Sequence, residues 1–152
     1  MKNKIDSIDK MQFDPNNKIV QLCAKGMEME INEQPDQAQA LYLQAWKEAT
    51  NDFEKFTASH YVARHQKSVQ DKLKWDETAL EFALKMNDSS FHGSYPSLYL
   101  NIAKCYEDLN DMDNAKKNYQ VALSYVKHLP DNEYGQMIKS GIKNGIERLS
   151  AF

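Results

Sequence analysis

Four histidines, two cysteines and a few grouped basic side chains are the residues of this chain whose chemistry could go beyond packing. The histidines are His60, His65, His92 and His128. His60 and His65 are five positions apart, about 140° around a helix, so they do not share a face. Cys23 and Cys105 lie far apart and match no metal-ligand spacing. Cys105 falls beside Ile102 and Tyr106 on an apolar helical face, where a thiol acts as a small buried hydrophobe, and no histidine is placed by sequence to activate it. These patterns predict no metal, no cofactor and no catalytic residue. The polar set that stands out is one of hydrogen-bond donors. His60 and Arg64 are four apart, and Asn101 and Lys104 are three apart, so each pair shares a helical face. Tyr61 and Tyr99 sit beside them. Donors among aromatics suit a carboxylate, such as an acidic segment or a peptide C-terminus. Arg64 offers a planar fork and is expected to hold a carboxylate more firmly than Lys104, which offers a point charge.

The elements that must position these residues are helical. No Val/Ile/Thr-rich alternating run is bounded by turn residues, whereas apolar residues recur at helical spacing from Asn17 to Leu149. Asn17 or its neighbours cap a first helix to about Asn32, and Pro35 opens a second to about Ala49. A third runs from about Asp52 to Gln66. Ser68 and Asp71 fit a capping box before a fourth helix to about Met86, which carries two apolar stripes. Residues 87–95 form the one long loop. Pro96 opens a fifth helix that Asn110-Asp111 breaks, Met112 begins a sixth to about His128, and Pro130-Asp131 begin the last, to about 150. Residues 1–16 read as an N-terminal arm and 17–150 as a single helical domain, with pairs at about 17–50, 52–86 and 96–128.

Self-similarity accompanies this order. Ala115, Tyr119 and Ala122 repeat the spacing of Ala38, Tyr42 and Ala45, and twelve residues upstream stand Ala103 and Gly26 respectively. Small residues there let two helices approach closely, with the tyrosine filling the space beside them. The pattern resembles the tetratricopeptide repeat, a helix–turn–helix unit of about 34 residues. The stretch from Pro96 to Leu129 matches best, through Tyr99, Ile102, Ala103, Tyr106, Ala115, Tyr119 and Ala122, with Pro130 following. Ile19 to Asp52 matches more loosely. In the middle pair Ala79 falls four residues late, about one extra helical turn. The resemblance implies an all-α fold, a short right-handed α-solenoid of antiparallel pairs with a C-terminal capping helix. It also implies a concave groove lined by the first helix of each pair, toward which His60, Arg64, Asn101 and Lys104 would turn. Their set resembles the family's carboxylate clamp in part, without its full set of Lys and Asn pairs. The segments His60–Gln66, Tyr95–Asn101 and Leu129–Gly135 further resemble a group of small stand-alone bacterial proteins of this class, some of which carry a ribosomal RNA adenine methyltransferase label.

Composition bounds the function. The chain has 152 residues, 41% of them apolar, enough for a core without disulfides or a structural metal. Nineteen basic against 22 acidic residues disfavour a nucleic-acid binder, which needs clustered Lys and Arg. No run approaches the roughly 20 apolar residues of a membrane helix, and the polar N-terminus has no secretory core, so a cytoplasmic protein is expected. The motifs G-x-G-x-x-G, Gly-Lys-Ser/Thr, H-E-x-x-H and G-x-S-x-G are all missing. The leading expectation is a non-catalytic module that binds a protein or peptide in its groove. A small-molecule sensor or enzyme with a pocket closed by the 87–95 loop is the first alternative. A self-associating subunit, a homodimer through an open end or Trp46, is the second. A methyltransferase needs a strand and a Gly-rich turn to hold its methyl donor, and the sequence offers neither. Calorimetry is therefore expected to detect no micromolar binding of that cofactor, and a micromolar isotherm would overturn the expectation.

Overall fold

Local capping chemistry sets most of the helix starts. Asn17 accepts hydrogen bonds from the Ile19 and Val20 amides, Asn51 from Glu54, Asp111 from Asn114 and Asn132 from Gly135. Each satisfies an amide that the first helical turn leaves without a partner. The computed structural model of the protein describes residues 14–151. Among these are seven α-helices and no strand: α1 (Lys18–Ile31), α2 (Pro35–Glu48), α3 (Asp52–Val62), α4 (Val69–Met86), α5 (Tyr95–Asp108), α6 (Met112–Ser124) and α7 (Glu133–Leu149). Ile5, Ile8 and the rest of the expected arm before Asp14 lie outside the described residues. No helix among the described residues is long and apolar enough to cross a membrane.

The boundaries depart from the sequence expectation where the last turn tightens. The spacing predicts α3 to Gln66, but the α-helix ends at Val62 and continues as a 3-10 turn over Ala63–His65. Likewise α6 stops at Ser124, ahead of a 3-10 segment over Val126–His128. The 87–95 loop is itself wound, with a 3-10 segment over Ser89–Ser94. At Ser68 the hydroxyl half of the expected capping box forms, accepting from the Asp71 amide at 3.0 Å. On α4 the second apolar stripe is only partly covered, with Leu84 44% exposed, while Asp76 on the same helix is buried and paired with Lys72 at 2.6 Å.

Contacts divide the chain into two compact units, 14–86 and 87–151. In the first, α1 packs on α2 and α3 on α4, and α3 also meets both α1 and α2. Its core gathers Ile19, Cys23, Ala38, Tyr42, Ala45, Ala58 and Val62. Trp46 packs edge-on against Trp75 within this unit, ring centres 5.1 Å apart. In the second unit, α5 packs on α6, and α7 meets both. Its core gathers Ala103, Ala115, Tyr119, Ala122, Ile138, Ile142 and Leu149.

The same turn joins α1 to α2 and α5 to α6. Glu33 and Asn110 take the left-handed conformation, with φ of 58° and 61°. The Gln34 amide then reaches the Met29 carbonyl, and the Asp111 amide reaches Tyr106. These bonds close a helix end and reverse the chain within three residues, which sets the two helices antiparallel. Glu33 adopts this conformation with a full side chain, at a cost that Asn110 partly avoids.

Each unit is built around a fully buried tyrosine, Tyr42 or Tyr119. A Cβ added at Gly26 would come within 2.3 Å of the Tyr42 ring, and one at Gly145 within 2.3 Å of the Tyr119 ring. The glycine lies on the helix before the tyrosine in one unit and on the helix after it in the other. Gly26→Ala and Gly145→Ala are each expected to destabilise by about 1–3 kcal/mol through overpacking. Gly141→Ala, whose Cβ would meet Leu100 at 3.2 Å, is expected to cost far less, because the gain in helix propensity offsets the contact. Urea unfolding midpoints of the three variants provide the check.

Candidate functional site

The six residues singled out from the sequence fall three in each unit. His60, Tyr61 and Arg64 belong to 14–86. Tyr61 is a core residue, 6% exposed and stacked on Tyr42 with ring centres 5.2 Å apart, so it does not line a groove as expected. Arg64 is paired within its own unit through one nitrogen. Its Nε donates to the Glu30 carboxylate at 3.1 Å, and its guanidinium lies 5.9 Å over the Tyr61 ring. His65 meets the same Glu30 oxygen at 2.5 Å. His60 is half-buried, stacked on Phe56 at 6.2 Å, and its Nδ1 has no hydrogen-bond partner. Burial first, then the positive charges of Arg64 and Lys72, pull the His60 pKa down to about 4. The imidazole is therefore neutral at pH 7 and brings no charge to a carboxylate.

Tyr99, Asn101 and Lys104 belong to 87–151. Asn101 and Lys104 line a concavity of about 310 Å³ between α5 and α7. Asn144 and Arg148 of α7 complete its polar rim, over a floor of Leu100, Ile138 and Gly141. Met137, 62% exposed, adds an apolar edge. Tyr99 is half-buried away from this lining. It stacks on Tyr125 with ring centres 6.0 Å apart, and burial raises its pKa.

Arg148 is held in place by a network that sequence reasoning did not find. Its Nε and Nη2 donate to the two oxygens of Glu107 at 2.9 and 3.0 Å. The Tyr119 hydroxyl donates to Glu107 at 2.7 Å and accepts from Arg148 Nη2 at 3.2 Å. The hydrogen bond from Arg148 holds the Glu107 carboxyl below its usual pKa, and burial raises that of Tyr119. Nη1 takes no part in these bonds, so the guanidinium keeps donors for a ligand. The other unit carries a counterpart: Glu30 and Arg64 are paired, and the buried Tyr42 hydroxyl, whose pKa is raised by burial and by the Glu30 charge, has no hydrogen-bond partner of its own. Glu30 precedes Tyr42 by twelve residues, as Glu107 precedes Tyr119. That spacing was the available signal. The arginines follow their tyrosines at unequal distances and gave none.

A second concavity, about 240 Å³ and mostly apolar, lies against Ile146, Leu149 and Gln120 of the α6–α7 face. Neither concavity is lined by the 87–95 loop. Cys23 and Cys105 are both buried, and burial pushes the Cys23 thiol up to about 12, so it is not a thiolate at neutral pH. Among the described residues no three His, Cys, Asp or Glu side chains converge as a metal-ligand set. Neither a known protein family, nor a curated protein, nor a solved structure matches the chain.

The depressed His60 pKa fixes a pH dependence. The unfolded chain binds a proton at this site near pH 6.5, and the folded chain only near pH 4, so acid favours unfolding between those values. Stability is expected to fall by about 1–3 kcal/mol as pH drops through that window, and to be fully present above it. Urea titrations at pH 4.5 and 7 of the wild type and His60→Phe provide the check. The variant is expected to show a flatter profile.

Proposed function

We propose that the protein is a non-catalytic module that binds an acidic segment or peptide C-terminus in the concavity between α5 and α7. The carrying observation is that Asn101, Lys104, Asn144 and Arg148 surround one apolar-floored concavity. Each supplies a donor a carboxylate needs. Lys104 brings an exposed positive charge, and the amides donate without adding one. Glu107 orients Arg148 before a ligand arrives, so less side-chain freedom is lost on binding. The same Glu107 cancels part of the positive charge, which favours one carboxylate over a polyanion. The apolar floor of Leu100 and Ile138 takes a ligand's hydrophobic side chain next to its carboxylate.

The architecture that supports this reading is a tetratricopeptide-like helical repeat. The recurring turn after α1 and α5, the buried Tyr42 and Tyr119, and the packing of α3 and α7 onto both helices of the pair before them are what such stacking produces. The reading requires no cofactor, nucleic acid or membrane, and buried thiols suit a reducing cytoplasm. His60 and Arg64 form a weaker candidate, because Glu30 offsets the Arg64 charge and His60 is neutral at pH 7.

Fluorescence anisotropy with acidic peptides ending in a free carboxylate tests the site. Lys104→Ala is expected to weaken binding about tenfold, the loss of one charged hydrogen bond. Arg64→Ala is expected to weaken it less, the reverse of the order that fork geometry alone predicts. Binding is expected to weaken as salt rises. Equal binding of the free-acid and amidated peptides, or no effect of Lys104→Ala, would overturn the proposal.

A further inference from the structure

Away from the α5–α7 concavity, two histidines that are distant in sequence come together. His92 lies in the Ser89–Ser94 segment and His128 in Val126–His128, and these two short segments pack on each other. The ring centres are 5.2 Å apart, with the planes at 70°. His128 is exposed and His92 half-buried, so the pair borders solvent. Tyr95 and Tyr125 form the wall behind it, with Tyr95 5.1 Å from His92 and Tyr125 6.3 Å from His128.

We propose that His92 and His128 form a two-histidine site for a late first-row divalent cation such as Zn²⁺, Ni²⁺ or Cu²⁺, with water completing the coordination. The ring separation carries the argument. An imidazole nitrogen binds such an ion at about 2.0–2.1 Å, and a tetrahedral angle between two of them sets the ring centres about 5 Å apart. The observed separation of 5.2 Å meets that requirement, and the terminal torsions of both rings are soft enough to turn a nitrogen toward a shared ion. Imidazole donors suit Zn²⁺, Ni²⁺ and Cu²⁺ and exclude the oxygen-seeking Mg²⁺ and Ca²⁺. The local field is mixed. Lys127 opposes a cation beside His128, and Asp88 favours one beside His92. A bound ion would tie the two 3-10 segments together, adding a bond to a contact that packing already makes. The site uses no residue of the peptide-binding concavity.

Isothermal titration of the full chain with Zn²⁺ or Ni²⁺ at neutral pH tests the site. One ion per chain, saturating below millimolar concentration, is expected. His92→Ala and His128→Ala are each expected to weaken binding at least tenfold, whereas His65→Ala, at the Glu30 pair, is expected to leave it unchanged. Mg²⁺ is not expected to compete. His128 is exposed, so its variant carries the test even if His92→Ala loses helical circular dichroism. Absence of saturable binding, or wild-type affinity in His128→Ala, would overturn the proposal. So would loss of the ion on His65→Ala.

Discussion

A buried tyrosine ring pressed against a position without a side chain is the contact on which each unit depends. Tyr42 and Tyr119 are both 0% exposed, and the ring atoms occupy space that a single methyl group at Gly26 or Gly145 would claim. Close-packed interiors do not stretch to absorb such a group, so the ring fixes how near the two helices lie. Ala38 and Ala45 flank Tyr42 on α2, and Ala115 and Ala122 flank Tyr119 on α6, each of them fully buried. Small residues along the rest of the seam keep the approach uniform.

The position of each ring then fixes the polar chemistry at its edge. Tyr119 places its hydroxyl on Glu107, and Glu107 holds both a nitrogen pair of Arg148 and the tyrosine proton. Three helices meet in that cluster, because Glu107 ends α5, Tyr119 lies on α6 and Arg148 ends α7. A carboxylate with so many donors is costly to protonate, which is why its pKa is held low. The consequence reaches the α5–α7 concavity. Arg148 stands at its rim already oriented, beside Lys104 and two asparagine amides, so a core-packing contact and a donor at the concavity's rim belong to one network.

In the first unit the corresponding cluster leads elsewhere. There Glu30 gathers Arg64 and His65, and the Tyr42 hydroxyl makes no hydrogen bond. An arginine that looks unpaired on a helical wheel thus has a carboxylate partner within its own unit. His60, one turn earlier, is held neutral by burial and by the positive charges around it. Identical residue types at helical spacing therefore carry different chemistry in the two units, according to which carboxylate the fold brings within reach.

The helices themselves were legible in the sequence because their causes are local. Asn17 and Asp111 cap within three residues of where they stand, Pro35 suits a first helical turn, and the Ala–Tyr–Ala spacing marks a packing face at a period the backbone imposes. Half of the candidate site was legible for the same reason: Asn101 and Lys104 share a face of α5 by spacing alone. Asn144 and Arg148 were not, since nothing local says which face of α7 meets α5. The same holds for Arg64, whose carboxylate partner Glu30 lies 34 residues away, for Asp76, a buried carboxylate on α4, and for His92 and His128, brought together across 36 residues. Local sequence determined which segments are helical and where most of them start, because hydrogen bonds and backbone sterics act over one turn. Only the tertiary structure decided which charges are paired and which remain for a ligand, because that depends on distances between helices that no single turn encodes.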